Sequence, residues 1–299
     1  MTYKSGFVAI VGRPNVGKST LLNDLIGYKL AITSDTAQTT RNMIRGIAHY
    51  DDAQIIFVDT PGIHKPKHKL GDYMNDSAYV ALEGVDVILM LINGEESFGK
   101  GDEFVLERLK QLGTPIIAVL NKIDKFSKSK MIERLVELEA MGAFSEIIPI
   151  AAKTGDNVTE LLTVIKQYLP EGPALYPEEQ LTDVSRQFVA REYVREKVIY
   201  HTKEEVPHSV AVVIDAWEET EESIHIIASV IVERKSQKGI LIGKQGGLIK
   251  KVRQQAERDM RRMFDKPTTL ELWVKVEKDW RNKDRYLHEF GYNTDDFEL

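Results

Sequence analysis

An α/β fold with a mainly parallel sheet and helices on both faces is predicted for residues 1–172, and a smaller α+β unit for residues 182–290. Three observations lead there. Apolar, β-branched runs ("FVAIVG", "AQIIFVDT", "DVILMLIN", "PIIAVLNK", "EIIPIAA") recur through the first part, each followed by a polar or amphipathic stretch. Near-continuous apolar strands are those buried on both faces of a sheet. The stretch "LPEGPALYPEEQ", residues 169–180, breaks every periodic pattern with three prolines and a glycine, which places a linker at 173–181. Beyond it the order becomes α-β-β-α-α-β: a helical "TDVSRQFVAREYVREKVIYHT", strands in "SVAVVIDAWEE" and "SIHIIASVIVER", a glycine loop, a long helix to about Phe264, then "TLELWVKVEK". A chain of 299 residues exceeds what one core ordinarily fills, so two units are expected.

Hydrophobic content of 42% and charged content of 29% fit a globular protein. The absence of cysteine excludes disulfides, thiolate metal sites and thiol nucleophiles. "MTYKSGFVAIVG" leaves no room for a cleavable signal, and "VDVILMLIN" is too short to span a bilayer, so a soluble cytoplasmic protein is expected. Charge is unevenly distributed. Residues 230–285 hold sixteen Lys and Arg against eight Asp and Glu in a chain of formal net charge −6, which suits a polyanion partner for the second unit. The final residues, 291–299, form an acidic tail expected to be mobile.

The first strand runs into "GRPNVGKS" and then the helical "TLLNDLIG", the strand-loop-helix context of a phosphate loop. Glycine is needed where backbone N–H groups must wrap phosphate oxygens and a β-carbon would obstruct them. Gly12 and Gly17 fill that role within Gly12, Arg13, Pro14, Asn15, Val16, Gly17, Lys18, Ser19 and Thr20. Lys18 is expected on the terminal phosphates and the Ser19 hydroxyl on Mg2+.

"NKID", residues 121–124, follows the strand "IIAVL" and so sits at the carboxyl edge of the sheet. The Asp124 carboxylate can accept from two adjacent donors on guanine, whereas the adenine ring presents a lone pair. Buried polar pairing of this kind rejects a wrong partner by roughly four to five orders of magnitude. Asn121 is expected to support the loop and contact the base, the Lys122 stem to lie on the ring face, and Ala151, Ala152 and Lys153 to offer a backbone N–H to the guanine oxygen. "DTPG", Asp59, Thr60, Pro61 and Gly62, puts Asp59 near the metal and the Gly62 N–H toward the γ-phosphate. "SDTAQTTR" offers Thr39 or Thr40 as a magnesium ligand present only with that phosphate. Lys18, Thr40, Asp59 and Gly62 are the candidate catalytic set.

These five motifs in this order resemble the translation-factor-related GTPases, and among them the Era family, over nearly the whole chain. The resemblance implies a P-loop GTPase domain followed by a type II KH domain, places Thr40, before Arg41, as the magnesium ligand with Ser19 and Asp59, and implies slow GTP hydrolysis. It also implies binding to the 3′ end of small-subunit (16S) ribosomal RNA, a role in 30S subunit biogenesis and rRNA processing, and peripheral association with the inner face of the cell membrane. A monomer is the expectation. Where many GTPases have a glutamine after the "DTPG" glycine, this chain has Ile63. Asn15 is therefore expected to help hold an activating K+, as in similar glutamine-less relatives. A rival reading is an RNA-binding adaptor with guanine nucleotide as a structural ligand.

"LIGKQGGLI" fits the hydrophobic-Gly-x-x-Gly pattern of KH domains, with Ile242, Gly243, Lys244, Gln245 and Gly246 at the loop and Lys250, Lys251 and Arg253 following on a helix. Such a loop clamps about four nucleotides of single-stranded RNA. The apolar positions around it are expected to floor the groove, while Ile249, Val252, Ala256, Met260 and Met263 face the core at helical spacing.

Overall fold

A computed structural model of the protein describes residues 2–34, 36 and 38–292; the expected tail lies outside the described residues from 293 onward. The first unit is a six-stranded sheet in the order β2-β3-β1-β4-β5-β6, built from β1 (Lys4–Val11), β2 (Ile44–Tyr50), β3 (Ala53–Asp59), β4 (Val87–Asn93), β5 (Ile116–Asn121) and β6 (Glu146–Pro149). All neighbouring pairs are parallel except β2 with β3. Every residue of β3, β4 and β5 is buried because helices cover both faces. Leu21 and Leu22 of α1 (Lys18–Ile26) and Leu161 and Ile165 of α5 (Val158–Tyr168) pack on one face. Ala78 of α2 (Lys69–Val80), Val105 of α3 (Lys100–Leu109) and Leu138 of α4 (Lys128–Glu139) pack on the other.

Strand β2 is absent from the strands expected from sequence. Its mixed run Ile44-Arg45-Gly46-Ile47 reflects an edge strand, apolar only where α1 covers it. At Gly46 a β-carbon would stand 3.0 Å from both Ile26 and Leu22, so glycine there lets α1 approach.

The second unit comprises α6 (Arg186–His201), α7 (Val206–Ser209), β7 (Ala211–Glu219), β8 (Ile224–Val232), α8 (Lys235–Ile242), α9 (Gly247–Phe264), β9 (Thr268–Val276) and α10 (Asp284–Glu289). Its sheet runs β7-β8-β9, antiparallel then parallel. The core stripe of α9 follows its helical period: Val252, Ala256 and Met260 are fully buried, with Ile249 and Met263 packed beside them.

The segment expected as a linker is held along the first unit. Gln54, fully buried in β3, accepts from the Leu175 and Tyr176 amides at 2.7 and 2.9 Å, and Ile47 N donates to Leu181 O at 2.9 Å. A further apolar cluster joins the units, with Leu70, Tyr73 and Met74 of α2 against Trp280, Leu287, Phe290 and Tyr292. Among the described residues no helix is long and apolar enough to cross a membrane.

Candidate nucleotide and nucleic-acid sites

Register brings the first site together. Ile10 of β1 lies beside Asp59 of β3, so the glycine loop leaving β1 starts next to the Asp59 carboxylate. A β-carbon on Gly12 would stand 2.5 Å from Leu91 O, and one on Gly17 2.3 Å from Asn121 Nδ2; both glycines have positive φ, 149° and 104°. Lys18 is 6% exposed and its ammonium donates to Gly12 O and Arg13 O at 3.1 and 2.9 Å. Burial pushes it down to about 8, against the opposing pull of Asp59. Asp59 is fully buried; desolvation pushes it up to about 6, restrained by Lys18 and by hydrogen bonds from Ser19, Thr40 and the Thr60 amide.

The Ser19 hydroxyl donates to Asp59 Oδ2 at 2.7 Å and lies 2.8 Å from Thr40 Oγ1. Asp59 Oδ1 is buried with no hydrogen-bond partner. Two hydroxyls that meet at Asp59 Oδ2, beside the unpartnered Oδ1 of the same carboxylate, fit Mg2+, a hard cation that takes few protein oxygens and completes its shell with phosphate and water. Among the described residues no group of three His, Asp or Glu forms a metal cluster. Of the two threonines left open by sequence, Thr40 faces this centre, whereas the Thr39 hydroxyl donates to Thr36 O at 2.6 Å.

The elements expected at the base also converge. Asn121 Nδ2 donates to Val16 O at 2.8 Å, and its Oδ1 accepts from the Lys122 and Ala152 amides at 2.7 and 3.0 Å. Its side chain therefore braces the phosphate loop. With the Ala151 amide donating to Asp156 O, the Lys153 amide is left of the three to meet a base oxygen. Lys122 adopts φ 68° and its ammonium lies 3.4 Å from Glu95. Asp124 is exposed at the sheet edge.

Several side-chain contacts around the pocket were not anticipated. Arg13 turns away from the phosphate pocket: its guanidinium pairs with Asp102 and Glu96, both at 2.9 Å, so only its backbone belongs to the loop. Ile63, 2% exposed, is core. His64 Nδ1 donates to Gly62 O at 2.7 Å, leaving Nε2 to accept from the Gln38 amide at 2.8 Å. Gln38 lines the phosphate pocket with Asn15 and Gly62, and its φ of 64° marks a backbone held out of the ordinary regions. A polar residue beside the "TTR" threonines is the only sequence signal for it.

The second loop joins α8 to α9. Gly243 has φ 71° and ψ 179°, and a β-carbon would stand 2.8 Å from Leu248 Cβ. Gln245 and Gly246 are left-handed at φ 53° and 76°. A β-carbon on Gly246 would meet nothing within 4 Å, so that glycine serves loop shape and an open approach, not packing. Lys244, Lys250 and Lys251 are exposed. The Arg253 guanidinium pairs with Glu257 at 2.6 Å. Leu241 is fully buried and belongs to the core, leaving Ile240, 53% exposed, and the half-buried Ile242 at the loop.

Residues 7–122 match the model of a family described as 50S ribosome-binding GTPase, and residues 205–281 match a KH domain. Among solved structures, the chain is similar to Era in complex with MgGDPNP and nucleotides 1506–1542 of 16S ribosomal RNA. It is 42% identical to that protein, with a TM-score of 0.94, over 97% of this chain and 99% of the other. The same figures hold for a single-substitution variant of Aquifex aeolicus Era bound to GDP·AlF4−. Identity at that level over both whole chains, joined to the geometry of the two sites, places this protein in the Era family of GTPases.

Proposed function

We propose that this GTPase uses its nucleotide state to control binding of its KH unit to the single-stranded 3′ end of 16S ribosomal RNA, in 30S subunit biogenesis and rRNA processing. The observation that carries the coupling is the position of Thr40. Its hydroxyl faces Ser19 and Asp59, while the next residue, Arg41, is fully buried against the KH unit and donates to Val210 O, Pro207 O and His208 O. A segment that answers to the γ-phosphate is thereby fastened to the RNA-binding unit. The relative captured with both MgGDPNP and 16S rRNA nucleotides supports the pairing of ligands.

In this reading Ser19, Thr40 and Asp59 hold Mg2+, which when bound neutralises charge developing on the β- and γ-phosphate oxygens. Lys18 leaves the loop carbonyls for the terminal phosphates, the Gly62 N–H faces the γ-phosphate, and Asn121, Asp124 and Lys153 set the base. Asn15, at the pocket mouth, contributes to a K+ site; an unchanged hydrolysis rate when Na+ replaces K+ excludes that role. Lys244, Lys250 and Lys251 draw in RNA phosphates beside the Gly243–Gly246 loop. The protein is read as a cytoplasmic monomer with peripheral membrane association.

Crosslinking to total cellular RNA with a GTP analogue or GDP bound, followed by sequencing, tests partner and coupling together. The expected result is 16S 3′-end fragments whose yield depends on the nucleotide; the same yield in both states refutes the coupling.

A further inference from the structure

We propose that Arg195, a residue of the KH unit, is a positioning residue for GTP hydrolysis: its guanidinium holds the Thr39 carbonyl so that the Thr40 hydroxyl faces Ser19 and Asp59. The proposal rests on the reading of Thr40 as a magnesium ligand and names what sets its position. The chain between α1 and β2 has no helix or strand among its described residues, so its own hydrogen bonds do little to fix where Thr40 points. The Thr39 carbonyl instead accepts from Arg195 Nη2, 156 residues away in sequence.

Arg195 is well placed to act as a rigid arm. Its side chain is fully buried, and Glu192, one turn earlier on α6 and 3% exposed, pairs with both its Nε and its Nη2. A bidentate carboxylate fixes the plane of a guanidinium, which fixes the direction in which Nη2 reaches Thr39. On the other side of Thr40, Arg41 is held by the carbonyls of residues 207, 208 and 210. The magnesium-ligand position is thus gripped on both flanks by the KH unit, and movement of that unit withdraws the grip.

The test uses the full chain, wild type against Arg195→Ala and Arg195→Lys, with a fluorescent non-hydrolysable GTP analogue and fluorescent GDP titrated over a range of Mg2+. A lost charge-assisted hydrogen bond corresponds to roughly a 10- to 100-fold effect. Arg195→Ala is therefore expected to raise the Mg2+ needed for the GTP-analogue state by about tenfold or more, to leave GDP binding unchanged, and to be partly rescued in Arg195→Lys. In the nucleotide-free protein, backbone amide exchange over residues 38–43 should accelerate in Arg195→Ala while residues 12–17 keep the wild-type rate. Unchanged Mg2+ dependence with unchanged exchange, or equal weakening of GDP and GTP analogue, overturns the proposal. If Arg195→Ala does not fold, the double variant Glu192→Gln/Arg195→Gln, which removes both buried charges together, carries the same readouts. A wild-type GTP-analogue complex indifferent to Mg2+ would instead refute the role given to Thr40, and the exchange measurement would still report whether Arg195 braces the segment.

Discussion

His68 caps α2 by accepting from the Gly71 amide at 3.0 Å. Burial first, then the charges of Arg281 and Arg41, push its imidazole down to about 4. The folded protein therefore prefers neutral His68, while the unfolded chain takes up a proton near the ordinary value of about 6.5. Its contribution to stability is complete above about 6.5 and is lost as pH falls toward 4. His68→Asn keeps a capping oxygen and removes the titration, so its urea-unfolding free energy should fall less than that of the wild type between pH 7 and pH 4.5. The second glycine loop sets a similar lesson about side-chain space. Gly243→Asp introduces strain against Leu248 as well as charge, so a loss of RNA binding in that variant would mix two causes. Lys244→Ala, at an exposed position, isolates the electrostatic one. It should weaken RNA binding, reduce the slope of log affinity against log salt by about one, and leave GTP affinity unchanged, as read by anisotropy titrations at several salt concentrations.

Among the elements, α9 and β2 mark the two extremes of legibility. The apolar stripe of α9 repeats at the helical period, and its core assignment follows because a helix half-covered by a sheet must alternate in that way. Met260, fully buried on that stripe, should cost about 2–5 kcal/mol when replaced by alanine, measurable as a lower denaturation midpoint. In contrast, β2 lies at a sheet edge, and its polar residues gave no period to read. Helix α6 holds an intermediate case. Its Glu192 and Arg195 fall among the buried positions Val189, Tyr193 and Val198, and an i,i+3 charge pair on an otherwise apolar face is a sequence sign of a buried ion pair.

Across the whole molecule, the two units are joined by contacts of very different worth. Lys69 and Asp284 pair at 2.6 Å but are 51% and 79% exposed, and such surface pairs contribute about 0–1 kcal/mol. Leu70, next in sequence, is fully buried against the KH unit. Leu70→Ala should destabilise by about 2–5 kcal/mol and expose residues 169–185 to limited proteolysis, whereas Lys69→Ala should change neither measurably. Equal effects of the two substitutions would mean that charge, not apolar burial, holds the units together.

The first glycine loop, the Asn121–Asp124 turn at the sheet edge, the Asp59 corner and the second glycine loop were all readable in the linear chain. Their chemistry is made by consecutive backbone groups, so the order of residues already carries the geometry. The pairing of Arg13 with Asp102 and of Arg253 with Glu257, and the grip of Arg195 on Thr39, emerged only once the chain was folded. Each depends on which surfaces meet when the sheet closes and the KH unit docks, and contacts between residues as far apart as Arg41 and Tyr292 leave no local pattern from which that meeting could be read.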